Sequence, residues 1–163
     1  EDGIRDVAVT GVQTCALPIS TRASSSMSAY SPQELWEIVE EWIDVAERDL
    51  LAARRLCAEE PLTDIAAFHC QQAGEKLLKG YLTWAGRRLE RTHDLGVLGA
   101  AVAGLYPETR VWTLAMEGCT NWNVVFRYPD GTERPPFPEL DDIREAVEIA
   151  EAMLGVLRGY RPG

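Results

Sequence analysis

From Leu35 to Leu157 the apolar side chains recur at intervals of three and four residues, and nowhere do they alternate one by one. A period near 3.6 gathers such residues on one stripe of an α-helix, whereas a half-buried strand needs a period of two. That feature restricts the chain to an all-α fold. At 163 residues it is one domain's worth of protein, so the expectation is an up-and-down bundle of four to five helices.

The helices can be placed from their punctuation. Ser31 suits the N-cap of a first helix, Pro32 its first turn, and Glu34 completes a capping box. Leu35, Ile38, Val39, Trp42, Ala46, Ala53 and Leu56 form its apolar stripe, and Pro61 stops it. A second helix, from about Thr63 to Gly86, carries one stripe through Ala66, Cys70, Ala73, Leu77, Tyr81 and Trp84. A second stripe runs through Ile65, Phe68, Leu78 and Leu82. A helix apolar on two sides belongs at the centre of a bundle. Thr92 is the expected N-cap of a third helix reaching Leu105, which Gly96, Gly99 and Gly104 weaken by roughly 1 kcal/mol each. A fourth begins near Pro107 and carries Val111, Trp112, Leu114, Ala115 and Cys119. A long loop, about 123–139, is stiffened by Pro135, Pro136 and Pro138, and loops of that length are usually functional or mobile. The last helix keeps strict spacing through Leu140, Ile143, Val147, Ala150, Leu154 and Leu157. Asp141 and Asp142 sit at its positive end and Gly159 just past its close. The number of large apolar residues predicts a dimer that buries surface left over from the first and last helices or the tryptophans.

Composition narrows the function classes. No apolar run approaches the length of about 18 residues that a membrane span needs, and no secretion signal opens the chain, so the cytoplasm is the expected location. The net charge of −10 disfavours RNA or DNA as a partner, because such binding rests on Lys and Arg neutralising phosphates. Two histidines and cysteines without C-x-x-C spacing make a metal site unexpected, and neither a metal nor a cofactor is expected. Cys57, Cys70 and Cys119 are expected to be small buried apolar residues.

Residues 1–20, EDGIRDVAVTGVQTCALPIS, resemble the translation of a short-read sequencing adapter. EDGIRD matches its flow-cell part, VTGVQTCALPIS its primer part, and Val7-Ala8 sits where an index would be read. Residues 1–26 are therefore expected to be an artefactual, unfolded segment, with Met27 as the true start and residues 27–163 as the domain. Setting aside residues 1–20 removes Glu1, Asp2, Asp6 and Arg5. That takes 26 acids and 16 bases to 23 and 15, still a net charge of −8.

The stretch FHCQQAGEKLLKGYLTWAGRRLERTHDLGVL, Phe68 to Leu98, resembles the core of HEPN domains. There a helix with a Q-Q-A-x-E-K run is followed by a short turn and a T-H-D-L motif. AERDLLAAR in the first helix and FRYPDG before the last also fit, so the resemblance spans about Trp36 to Leu157. It implies a helical bundle, often dimeric. It also implies a prokaryotic protein beside a minimal nucleotidyltransferase in a toxin–antitoxin-like pair, with some members binding nucleotides and others cleaving RNA without metal through an R-x(4–6)-H motif.

Two groups of residues could carry chemistry. Arg88 and His93 satisfy R-x4-H literally; the histidine would act as general acid or base and the arginine would stabilise a phosphorane-like charge. The bland alternative is that His93 helps cap the third helix and packs on the second. The polar stripe of Gln72, Glu75, Lys76 and Lys79 could hold a nucleotide or another phosphorylated ligand, with Arg127 and Tyr128 closing over it. Its alternative is an ion-pair network that fixes helix register. Three functions follow. The first is a nucleotide-binding or interaction module, homodimeric and paired with a nucleotidyltransferase. The second is a ribonuclease toxin, and the third a structural adaptor.

Overall fold

The computed structural model describes residues 30–58, 61–126 and 135–163. The N-terminal segment 1–26 and the centre of the long loop lie outside those residues. The described chain forms five α-helices: α1 Pro32–Leu56, α2 Thr63–Trp84, α3 Leu95–Leu105, α4 Arg110–Glu117 and α5 Leu140–Gly159. Short 3-10 turns, Pro107–Thr109 and Thr120–Asn123, flank α4. No strand occurs among the described residues, and none of the helices there is long and apolar enough to cross a membrane.

Local signals set the boundaries. The Ser31 side chain accepts from the Glu34 N–H while Glu34 reaches back to the Ser31 N–H at 2.8 Å, closing the expected capping box. At α3 the expectation fails by two residues. The N-cap is Asp94, whose carboxylate accepts from the Val97 N–H at 3.0 Å, while the Thr92 hydroxyl accepts from the Asp94 N–H one step earlier. Both Thr and Asp can cap, and here Asp94, not Thr92, stands directly before the first helical residue. At α5 a capping box forms between two acids, Glu139 and Asp142, on the positive end of the helix dipole.

Packing follows the two-sided pattern of α2, which touches α1, α3 and α5. Leu77, Leu78, Tyr81, Ala66, Ala73 and Cys70 have no exposed surface. Each fully buried large side chain contributes roughly 1.5–3 kcal/mol. Close approach is made at glycines: a Cβ on Gly74 would run into Met116 Cε, and one on Gly80 would come within 3.0 Å of Leu157. Tyr81 donates to the Met153 carbonyl at 2.7 Å, fixing α5 on α2. Trp36 meets Trp84 edge to face at 5.5 Å. Ile65, expected on a packed stripe, is 45 % exposed, while Ala66 and Ala67 beside it are buried. Cys70 and Cys119 are buried, and burial pushes both thiols up to about 12. Cys57, expected inside, is only half-buried at the C-cap of α1.

Candidate functional site

The polar stripe of α2 does not face open water. It lies along the seam with α1 and under the turn that leads to α3, where one chain of hydrogen bonds runs the length of the stripe. His69 Nδ1 meets Asp49 Oδ1 at 2.9 Å, and the other oxygen of Asp49 lies 3.5 Å from Lys76 Nζ. Lys76 also donates to Gln72 Oε1, and Gln72 donates to Gln71 Oε1 at 2.7 Å. Gln71 in turn donates to Glu75 Oε2 at 3.3 Å and to the His93 carbonyl at 3.2 Å.

Glu75 is the centre of this network. Its residue is 4 % exposed, yet its carboxylate is filled: Lys79 Nζ lies 2.7 Å from Oε1, and His93 Nδ1 lies 3.1 Å and 3.0 Å from the two oxygens. Burial pushes the carboxyl up, but the hydrogen bonds and charges of Lys79 and His93 outweigh it and hold the group below its usual range. Lys76 and Lys79 keep only 17 % and 12 % of their side chains exposed, whereas the His93 side chain is 70 % exposed. The two lysines balance Asp49 and Glu75. His93 is therefore the part of the network that a solute meets first, with Nδ1 anchored and the rest of the ring facing water.

The structure thus brings His69, Gln72, Glu75, Lys76, Lys79 and His93 together, and adds two members that sequence reasoning passed over. Asp49 falls between the buried Ala46 and Ala53 on the inner stripe of α1, a charged residue at a core position, which was the available signal. Gln71 is wholly buried; its signal was a glutamine one step from the buried Cys70. Arg88 stands elsewhere. With Arg87, Leu82, Leu98, Gly104 and Leu105 it lines a groove of about 440 Å³ beside α3, and His93 is not among the groove's walls. Arg127 and Tyr128 lie outside the described residues. Among the described residues no three His, Cys, Asp or Glu side chains converge as a metal ion would need.

The network joins α2 to the turn before α3 through Gln71, Glu75 and His93, residues of the Q-Q-A-x-E-K and T-H-D-L segments. A family model of the HEPN domain matches residues 39–160. The chain belongs to the HEPN family. Two solved structures share the fold. An archaeal HEPN homologue, ST0689, is 27 % identical with a TM-score of 0.58, over 76 % of this chain and 98 % of that one. The protein TT1696 from Thermus thermophilus is 23 % identical with a TM-score of 0.58, over 75 % of this chain and 97 % of that one. No curated protein matches the chain. This HEPN bundle encloses the centre of its signature, since Gln71 and Glu75 are buried, while His93 and Asp94 of the second motif are exposed.

Proposed function

We propose that this HEPN domain is a nucleotide-binding or interaction module that works with a minimal nucleotidyltransferase-type partner. The observation that supports it is the Glu75–His93 pair. A buried carboxylate holds one ring nitrogen of an exposed histidine, and Lys79 and Lys76 lie behind it on the same face. A phosphoryl group docking at His93 would meet the imidazole, with the two ammonium groups behind it. Because each lysine already has a carboxylate partner, the affinity gained is modest. Charge-assisted contacts are worth roughly 1.5–3 kcal/mol each, so Lys76→Gln, Lys79→Gln together should weaken binding at least about tenfold. Calorimetry with ATP and AMP checks this. No binding by the wild type, or full binding by a folded double variant, rejects the site. Loss of the helical circular dichroism signal in that variant assigns the lysines a structural role. The partner half is tested by co-expression with the neighbouring reading frame: a nucleotidyltransferase that fails to co-purify rejects it.

One observation favours a second reading, a metal-independent ribonuclease. With Nδ1 on Glu75, His93 has Nε2 left for proton transfer, and a carboxylate that orients an imidazole is a usual arrangement for general acid–base chemistry. His93→Ala should abolish cleavage of RNA in the presence of a chelator while the fold persists. Wild-type protein that leaves RNA intact ends this reading.

A further inference from the structure

Helices α2 and α3 run in the same sense, since Gly74 lies beside Leu95 and Tyr81 beside Tyr106. The connector 85–94 must therefore travel back along α3. Its start is fixed by a Schellman turn. Gly86 takes φ +67°, its N–H donates to the Thr83 carbonyl at 2.9 Å, and the Arg87 N–H donates to the Leu82 carbonyl at 2.8 Å. Such a turn closes a helix and redirects the chain. Between the connector and α3 lies the groove of about 440 Å³ that Arg88 lines, within the size range of small-molecule sites.

Its walls are hydrocarbon on one side and charge on the other. Helix α3, LGVLGAAVAGL, has no polar side chain. Leu82 and Leu98, 6 % and 2 % exposed, form the floor. Ala100, Ala101 and Gly104 are exposed along the groove, and a Cβ on Gly104 would meet nothing within 4 Å. The connector alone brings polarity, through the exposed Arg87, Arg88 and Glu90. Arg54, Arg144, Arg158 and Arg161 each have a carboxylate partner, whereas Arg87 and Arg88 have none among the described residues. Two positive charges and one negative leave this rim at +1, on a chain whose total is −10.

These walls select by chemistry. A nucleotide or a sugar would press its polar groups onto hydrocarbon and lose their hydrogen bonds to water. An extended peptide would strand its backbone N–H and C=O groups in the same way. A polyphosphate exceeds the single net charge of the rim. We propose that the groove binds a free medium-chain carboxylate, with its hydrocarbon along α3 and its carboxylate on Arg87 and Arg88. From Val97 to Leu105 the helix rises roughly 12 Å, the length of a chain of about ten carbons. A carboxylate matches the planar fork of a guanidinium, and covering Ala100, Ala101 and Gly104 removes apolar surface from water. The groove shares no wall with the Glu75–His93 pair, so this assignment is independent of any ligand there.

Titration calorimetry of the full chain with decanoate, kept below its micelle concentration, tests it. The expected result is saturable binding of one decanoate per chain. Decanol, which keeps the hydrocarbon and lacks the charge, should bind roughly tenfold more weakly. Hexanoate, a shorter chain, should bind at least about tenfold more weakly. Arg87→Gln, Arg88→Gln together should weaken decanoate at least about tenfold and leave decanol unchanged. Ala101→Phe, which fills the groove, should abolish binding of both. Saturating ATP should leave the decanoate titration unaltered. No binding overturns the proposal, as do heats that never saturate, equal affinities for decanoate and decanol, or displacement by ATP. Phosphatidylglycerol vesicles that bind the chain when decanoate does not would assign the surface to a membrane and overturn it too. Should either variant lose its helical circular dichroism signal, the comparison of decanoate, decanol and hexanoate on the wild type decides.

Discussion

The α1–α2 seam and the α3–α4 hairpin depart from a simple apolar-inside pattern in opposite directions. The seam takes Asp49, Glu75, Lys76 and Lys79 largely out of water and satisfies them with one another. The hairpin leaves Val97, Val111 and Leu114 in water. A buried carboxylate loses hydration that only good partners replace, so the seam is stable only as a complete set. Exposed hydrocarbon carries no comparable penalty. Damage to the seam should therefore register in folding, and changes to the exposed hairpin residues much less.

The sharpest way to break that contrast is Glu75→Ala. It strands Lys79 and the Gln71 amide, and removal of one partner from a buried pair costs about 3 kcal/mol or more. Urea unfolding should show it, while Leu114→Glu, at a position 59 % exposed, leaves the unfolding midpoint nearly unchanged. Gly74→Ala comes next. Its methyl would displace the end of Met116, an overpacking cost of about 1–3 kcal/mol, low in that range because a methionine can yield. Asp94→Ala should lose about 1 kcal/mol of capping and Thr92→Ala less, which sharpens the placement of the α3 start. The opposite sign belongs to Gly104→Ala, where nothing crowds the new methyl: about 0.5–1 kcal/mol of added stability.

Acid probes the seam without mutation. The Glu75 carboxyl lies below its ordinary value of 4.5 in the folded chain. A group depressed in this way stabilises the fold fully above its unfolded value, and that contribution is lost as pH falls through the lower folded value. The unfolding midpoint should thus decline below about pH 4.5, and Glu75→Gln should flatten part of that decline. A wild type and variant with parallel profiles would show that Glu75 is not held as described.

Helix positions were legible because they rest on neighbours in sequence. The box at Ser31 and Glu34 and the spacing of α5 need no tertiary partner to be read. The start of α3 was not legible in the same way. Thr92 and Asp94 are both good caps, and the choice between them depends on how the turn is tied to α2 through His93 and to the Leu95 N–H through the Thr120 hydroxyl. The polar stripe was legible as a set of residues but not as an environment. Periodicity says that Gln72, Lys76 and Lys79 share a face; it does not say that Asp49 of α1 lies opposite Lys76, or that Arg88 and His93, five residues apart, fail to share a groove.

The amino-acid sequence by itself determined the all-α architecture, the centrality of α2 and the membership of the HEPN family, because helical period, caps and a contiguous signature are properties of short stretches of chain. Only the tertiary structure decided which polar groups are covered and which apolar ones are left bare. Burial is a relation between segments far apart in sequence. Glu75 is enclosed because His93, eighteen residues on, folds back over it, and Leu114 is uncovered because no described part of the chain reaches around α4 to meet it.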